Sequence, residues 1–204
     1  MKKSKIIHLD ATASTNDFLL KNAGKYEGED LVVAVSDYQT AGRGMGTNKW
    51  ESEVGKNLLF SMLIHPLWVD AGVEFLVSMS EAIALCEVLS EYADDITIKW
   101  PNDIYWKDKK ICGTLIENDL TGIHISRSIS GTGVNLNQER FLSDAPNPVS
   151  LCQITGNQYN PREILEQIME KVTEYYQFLK ENRTEVLETR YKEALYRKEG
   201  LHLF

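Results

Sequence analysis

"ITIKWPNDIYWKDKKICGTLIENDLTGIHISRSISGTGVN", residues 96–135, is the stretch on which the fold turns. Runs rich in β-branched and aromatic residues ("ITIKW", "IYW", "ICGTLIEN", "GIHISRSISGTGVN") alternate with the short polar breaks "PND", "KDKK" and "DLTG". Apolar runs of strand length joined by such compact turns read as hairpins. The segment is therefore an antiparallel meander, half of a larger sheet.

Working outward, "IIHL" (6–9), "LVVAVS" (31–36) and "NLLFSMLI" (57–64) supply the other strands. Between the first two, "STNDFLLKNAGK" reads as a helix with Ser14 or Thr15 as N-cap and Gly24 as its stop. Residues 69–92 carry Val73, Leu76, Val77, Ile83, Ala84, Val88 and Leu89 near helical spacing, which predicts a long buried helix across the sheet. After the meander, Asn160 caps and Pro161 opens a helix with Ile164, Leu165, Ile168, Val172 and Tyr176 on one side, and Thr184 caps another that ends at Gly200. Grouped strands with segregated helices make an α+β fold. A length of 204 residues suits a single domain over 1–204.

Composition narrows the function. With 30 acidic against 22 basic residues the net charge is -8, which opposes binding to a phosphate backbone, so DNA is not an expected partner. No apolar run approaches the roughly 18 residues that would cross a membrane, and "MKKSKIIHLDATAST" has no apolar stretch that would make it a secretory signal. Cys86, Cys112 and Cys152 are odd in number and widely spaced, indicating neither a disulfide framework nor a zinc site. Reduced thiols fit a cytoplasmic protein.

Three breaks in the strand pattern carry the chemistry. "DYQTAGRGMGTNKWESEVGKNLLFS" (37–61) sets Arg43 among Gly42, Gly44 and Gly46, a composition suited to a backbone that approaches an anionic ligand. In "KWPNDIYWKDKKICGTLIE" (99–117), Pro101 interrupts a strand, Asn102 and Asp103 are turn formers, and Lys110 precedes Gly113. "GTGVN" (131–135) repeats the theme of glycines at a strand end. Each residue has a plainer reading too: Ser14 as a helix cap, Trp50 as core, Asp103 as a turn residue.

Taken together, "Q-x-A-G-R-G" (Gln39 to Gly44), Trp50, "KWPND" (Lys99 to Asp103), "K-x-x-G-x-L-x-E" (Lys110 to Glu117), "G-x-G-x-N" (Gly131 to Asn135) and "STN" (14–16) resemble the catalytic domain of the biotin-protein ligases. The resemblance implies a mixed, mainly antiparallel sheet with helices packed on it, similar to class II aminoacyl-tRNA synthetases. It implies that biotin and ATP, with magnesium, give biotinyl-adenylate and pyrophosphate, and that a lysine of a biotin carboxyl carrier domain of a carboxylase then takes the biotin. Strand pairing into a homodimer stays open. The family pattern also implies that this chain, ending in "GLHLF", is the catalytic domain without the small C-terminal domain or the DNA-binding domain of regulatory members.

By motif position the resemblance implies catalytic roles for Lys110 and Arg43. Ser14, Thr15, Asn16, Gln39, Gly42, Arg43, Gly44, Lys110 and Gly113 would bind biotin. Arg43, Trp50, Asn102, Asp103, Lys110 and Asn135 would bind ATP, and Asp103 would hold magnesium. Asn102 and Asp103 either orient Lys110 or hold the metal. Met45 stands where the family usually has a polar or cationic residue, so a weaker hold on the adenylate is expected, and the glycine loop is expected to order over its ligand. A lipoate or octanoate ligase, or a non-catalytic biotin-binding module, are the alternatives.

Overall fold

The computed structural model describes residues 4–200 and 202. Seven strands, β1 (Ser4–Leu9), β2 (Leu31–Ser36), β3 (Leu58–Ile64), β4 (Ile96–Lys99), β5 (Asp103–Trp106), β6 (Lys109–Thr121) and β7 (His124–Val134), form one sheet of order β1-β2-β3-β7-β6-β5-β4. The expected meander is β4 to β7, all antiparallel. Only β1 and β2 pair in parallel, because a helix, α1 (Thr15–Asn22), carries the chain back between them. The sheet is thus mixed and mainly antiparallel, as expected.

Both faces of β2 are covered, so its sequence is continuously apolar rather than alternating. On one face, Val33, Phe60, Met62 and Val134 pack against α2 (Phe75–Ser90) and later helices. On the other, Leu19 of α1 meets Val32, Ala34, Leu63 and Ile129. Burying each such aliphatic side chain contributes about 1.5–3 kcal/mol. After the meander come α3 (Leu151–Thr155), α4 (Pro161–Lys180) and α5 (Thr184–Glu193). Because α1 is short, it leaves the β6–β7 end of its face open. No helix among the described residues is long and apolar enough to cross a membrane.

Several boundaries differ from the sequence expectation, each for a tertiary reason. The helix expected from residue 69 starts at Phe75, because Val69 and Ala71 pair with β7: Ile125 N donates to Val69 O and Ala71 N to Ile123 O. Val73 is accordingly exposed rather than buried. The turn placed at 119–122 is shorter: β6 runs to Thr121 through a bulge at Asp119/Leu120, and Gly122, at φ +61°, makes the tight reversal. α1 ends at Asn22 and Gly24 lies in a following 3₁₀ turn, Ala23–Lys25. Thr184 is the first residue of α5 rather than its cap, and the helix ends at Glu193. Beyond it the chain leaves to pair with β4, where Ile98 N donates to Ala194 O and Tyr196 N to Ile98 O, both at 2.8 Å. α3 went unread although "SLCQ" is a capping box, Ser150 and Gln153 bonding reciprocally.

Candidate active site

The open end of the sheet face, the glycine loop, the start of α1 and the start of α2 enclose a cleft of about 560 Å³. Arg43, Lys110 and Trp50 line it, as do Thr15, Asn16 and Gln39. Three segments far apart in sequence therefore meet in one hollow.

Its polar wall is built at the α1 N-terminus. Ser14 is the N-cap, its hydroxyl accepting from Asp17 N at 3.5 Å, and this cap fixes where the helix begins. Thr15 N donates to Gln39 Oε1 at 2.8 Å, and the Thr15 hydroxyl lies 3.1 Å from the same oxygen. Asn16 donates through Nδ2 to Glu117 Oε2 at 2.8 Å and to Leu115 O at 3.3 Å. Ser61 Oγ lies 2.6 Å from both Asn16 Oδ1 and Thr15 Oγ1. The Ser61 hydroxyl has a single proton, and Asn16 Oδ1 only accepts, so that proton goes to Asn16. The Thr15 proton then serves either Ser61 or Gln39, which leaves the wall one proton short and able to accept from a ligand N–H. Ser14, Thr15, Asn16 and Ser61 are all buried, where an unmatched polar group costs about 1–3 kcal/mol.

The glycine loop closes on itself as a small hairpin. Trp50 N donates to Gly42 O at 3.0 Å and Gly44 N to Asn48 O at 2.8 Å, around Gly46 at φ +65°. Arg43 projects from it to a bidentate ion pair with Glu117, Nη1–Oε1 3.2 Å and Nη2–Oε2 2.7 Å, and to Asp17 Oδ1 at 3.0 Å. The hydrogen bond to Glu117 chiefly holds the guanidinium pKa above its ordinary value. Lys110, at the start of β6, points its Nζ to Asp103 Oδ2 at 2.6 Å, 5.9 Å from the Trp50 ring centroid. The indole lies against two paired glycines, Gly113 and Gly133. A Cβ at Gly133 would sit 2.2 Å from Trp50 Cε2, and one at Gly113 3.0 Å from Cζ3. Trp50 Nε1 has no partner among the described residues.

The structure brings most of the expected residues together at the cleft and places two of them, Gly42 and Asn135, outside its lining. Gly42 does not line the cleft: a Cβ there would lie 2.5 Å from Trp50 O, so its glycine serves the hairpin. Asn135 does not line it either, being buried with Nδ2 donating to Val149 O at 3.2 Å. Asn102 lines the cleft but bonds Ser78 of α2 at 3.2 Å, not Lys110. Asp103 orients Lys110, and its carboxylate is engaged there. Among the described residues no three His, Cys, Asp or Glu side chains cluster, whereas a magnesium ion carried by ATP phosphates would need only one or two carboxylates. No cysteine lines the cleft, and burial pushes the Cys86 thiol up to about 12 and raises Cys112 further.

Sequence reading assigned no role to Ser61, Asp17 or Glu117. Ser61 was visible as a lone hydroxyl in "NLLFSMLI", and Glu117 as the acidic end of its motif. Their contacts depend on strand register, which neither signal reveals.

The residue pattern of the biotin/lipoate A/B protein ligase family matches residues 9–135, more than half of the chain. The chain belongs to that family. It is 37% identical over 140 residues to the bifunctional ligase/repressor BirA of Salmonella typhimurium, covering 66% of this chain and 41% of that protein. It is 31% identical over 165 residues to the biotin–[acetyl-CoA-carboxylase] ligase of Paracoccus denitrificans, covering 78% and 67%. The fold superposes on the biotin protein ligase of Aquifex aeolicus in complex with biotin and ATP with a TM-score of 0.80 at 26% identity, over 96% of this chain and 79% of that one. The chain thus spans less than half the length of the BirA relative.

Proposed function

We propose that this chain is the catalytic part of a biotin-protein ligase that activates biotin with ATP and passes it to a lysine of a biotin carboxyl carrier domain. The observation that carries this reading is the meeting of Arg43, Lys110 and the Thr15–Asn16–Gln39 wall in one cleft. Its likeness to a ligase seen with biotin and ATP supports it.

In the first step a biotin carboxylate oxygen attacks the α-phosphorus of ATP and pyrophosphate leaves. Two anions must approach, so the chemistry needs fixed cations that offset their repulsion. Arg43 offers its charge and the guanidinium N–H donors that Glu117 leaves open, and Lys110 a point charge to the α-phosphate and carboxylate. The wall, one proton short, accepts a ureido N–H of biotin. The Trp50 ring serves as a stacking platform for the adenine. In the second step the acceptor lysine amine attacks the activated acyl carbon and AMP departs. Three unpaired thiols fit such an enzyme in the cytoplasm.

Pyrophosphate release tests the reading: biotin with ATP is expected to support turnover, and octanoate or lipoate to support at least tenfold less. Turnover with octanoate and none with biotin would assign the chain to the other branch of the family. Absence of turnover with every acid, alongside measurable biotin binding, would make it a binding module.

A further inference from the structure

We infer that Glu117 is a positioning residue that sets the aim of Arg43 from the sheet; the inference rests on the ligase reading above. The loop itself gives Arg43 little support, since its neighbours are Gly42 and Gly44 and the next side chain, Met45, is 74% exposed.

The restraint starts on β7. Asn16 is 3% exposed and lies over Gly131, where a Cβ would fall 2.1 Å from its Oδ1. Ser61 holds the same oxygen at 2.6 Å. With that end fixed, Asn16 Nδ2 directs its two protons to Leu115 O at 3.3 Å and to Glu117 Oε2 at 2.8 Å. Glu117 is thereby held to receive both arms of the Arg43 fork, at 3.2 and 2.7 Å. Asp17, next to Asn16 on α1, adds the contact at 3.0 Å.

Charge argues for the same role. Two carboxylates beside one guanidinium leave the cluster net negative, and a carboxylate near the meeting place of two anions repels them. The place of Glu117 there is accounted for by its effect on Arg43. The two hydrogen bonds to Glu117 occupy two of the five guanidinium N–H donors and Asp17 pairs with the same group by charge, so donors remain for an incoming anion. An arginine aimed before the substrate arrives does not lose that freedom on binding. Gly131, Asn16 and Glu117 therefore form a relay from the rigid sheet to a residue on a glycine-rich loop.

The test is a double-mutant cycle on the full chain, reading pyrophosphate release from biotin and ATP. Glu117→Gln keeps the shape and an acceptor for Asn16 but removes the charge that holds the guanidinium. It is expected to lower kcat/KM for biotin about tenfold in the parent and to change it less than about twofold when Arg43 is already alanine. Equal losses in both backgrounds, or no loss in either, would overturn the proposal. A second readout does not depend on activity: protease cleavage within residues 42–49 of the unliganded protein should quicken about tenfold in Glu117→Gln with Tm unchanged. Unaltered cleavage would also count against it. If the parent protein released no pyrophosphate, the ligase reading would fall while the cleavage measurement still decided the positioning role.

Discussion

Lys110 and Asp103 form the shortest charged contact in the cleft, at 2.6 Å, yet each remains about 30% accessible to solvent. A pair so exposed contributes only about 0–1 kcal/mol to folding. Lys110→Ala is therefore expected to leave Tm nearly unchanged while reducing pyrophosphate release at least tenfold, the effect of losing one charged donor worth about 1.4 kcal/mol or more in the transition state. Unimpaired release in that variant would remove Lys110 from the chemistry. Gly133 makes the opposite forecast. Because a Cβ there would lie 2.2 Å from the Trp50 indole, Gly133→Ala should cost about 1–3 kcal/mol of stability by overpacking and weaken ATP binding together. Urea denaturation and nucleotide titration would check both, and an unchanged urea midpoint would refute the seating of Trp50. Met45 lines the cleft without a charge, so Met45→Arg should reduce labelling of an unrelated lysine-rich protein incubated with biotin and ATP. Labelling equal to that of the parent, at equal adenylate formation, would show that Met45 does not loosen the hold.

At the scale of the elements, α2, α4 and β7 enclose one carboxyl group, that of Glu81, which has no cation partner among the described residues. Glu81 on α2 is 1% exposed and accepts from Ser130 of β7 at 2.8 Å and from the Tyr176 hydroxyl of α4. Burial raises its pKa from 4.5 to about 7, against the pull of those two hydrogen bonds. The folded state thus holds the proton more tightly than the unfolded one. The stabilisation this brings is full below the unfolded value and is lost as pH rises through about 7. At about 1.4 kcal/mol per unit the difference is on the order of 3 kcal/mol. Glu81→Gln should therefore gain stability relative to the parent on going from pH 5 to 8, as read by urea denaturation. An offset that stays constant with pH would contradict the assignment.

Elements were legible where the signal was local. The order of strands in the meander, the Ser14 cap and the Asn160–Pro161 start are written in neighbouring residues, and the structure has them. The late start of α2 and the early end of α5 were not, because Val69, Ala71, Ala194 and Tyr196 are drawn into pairing with strands distant in sequence. The same division holds in the cleft. Arg43 and Lys110 stand out beside glycines, whereas Ser61 and Glu117 acquire their contacts only once β3, β6 and β7 are in register.

For the whole molecule, the sheet serves as a floor on which Gly131 seats Asn16 and the paired Gly113 and Gly133 seat Trp50, with Lys110 at its edge and Arg43 on the loop above it. The proposed function turns on one step, the joining of the biotin carboxylate to the α-phosphate of ATP in this cleft. Biotin labelled in both carboxyl oxygens with the heavy isotope tests it most directly, with the chain, ATP and an acceptor carrier domain. Attack on the α-phosphorus followed by aminolysis leaves a carboxyl oxygen behind on the nucleotide. The account predicts AMP that carries one heavy oxygen, found by mass spectrometry in step with biotinylation of the acceptor. Biotinylated acceptor accompanied by unlabelled AMP, or no AMP at all, would contradict it.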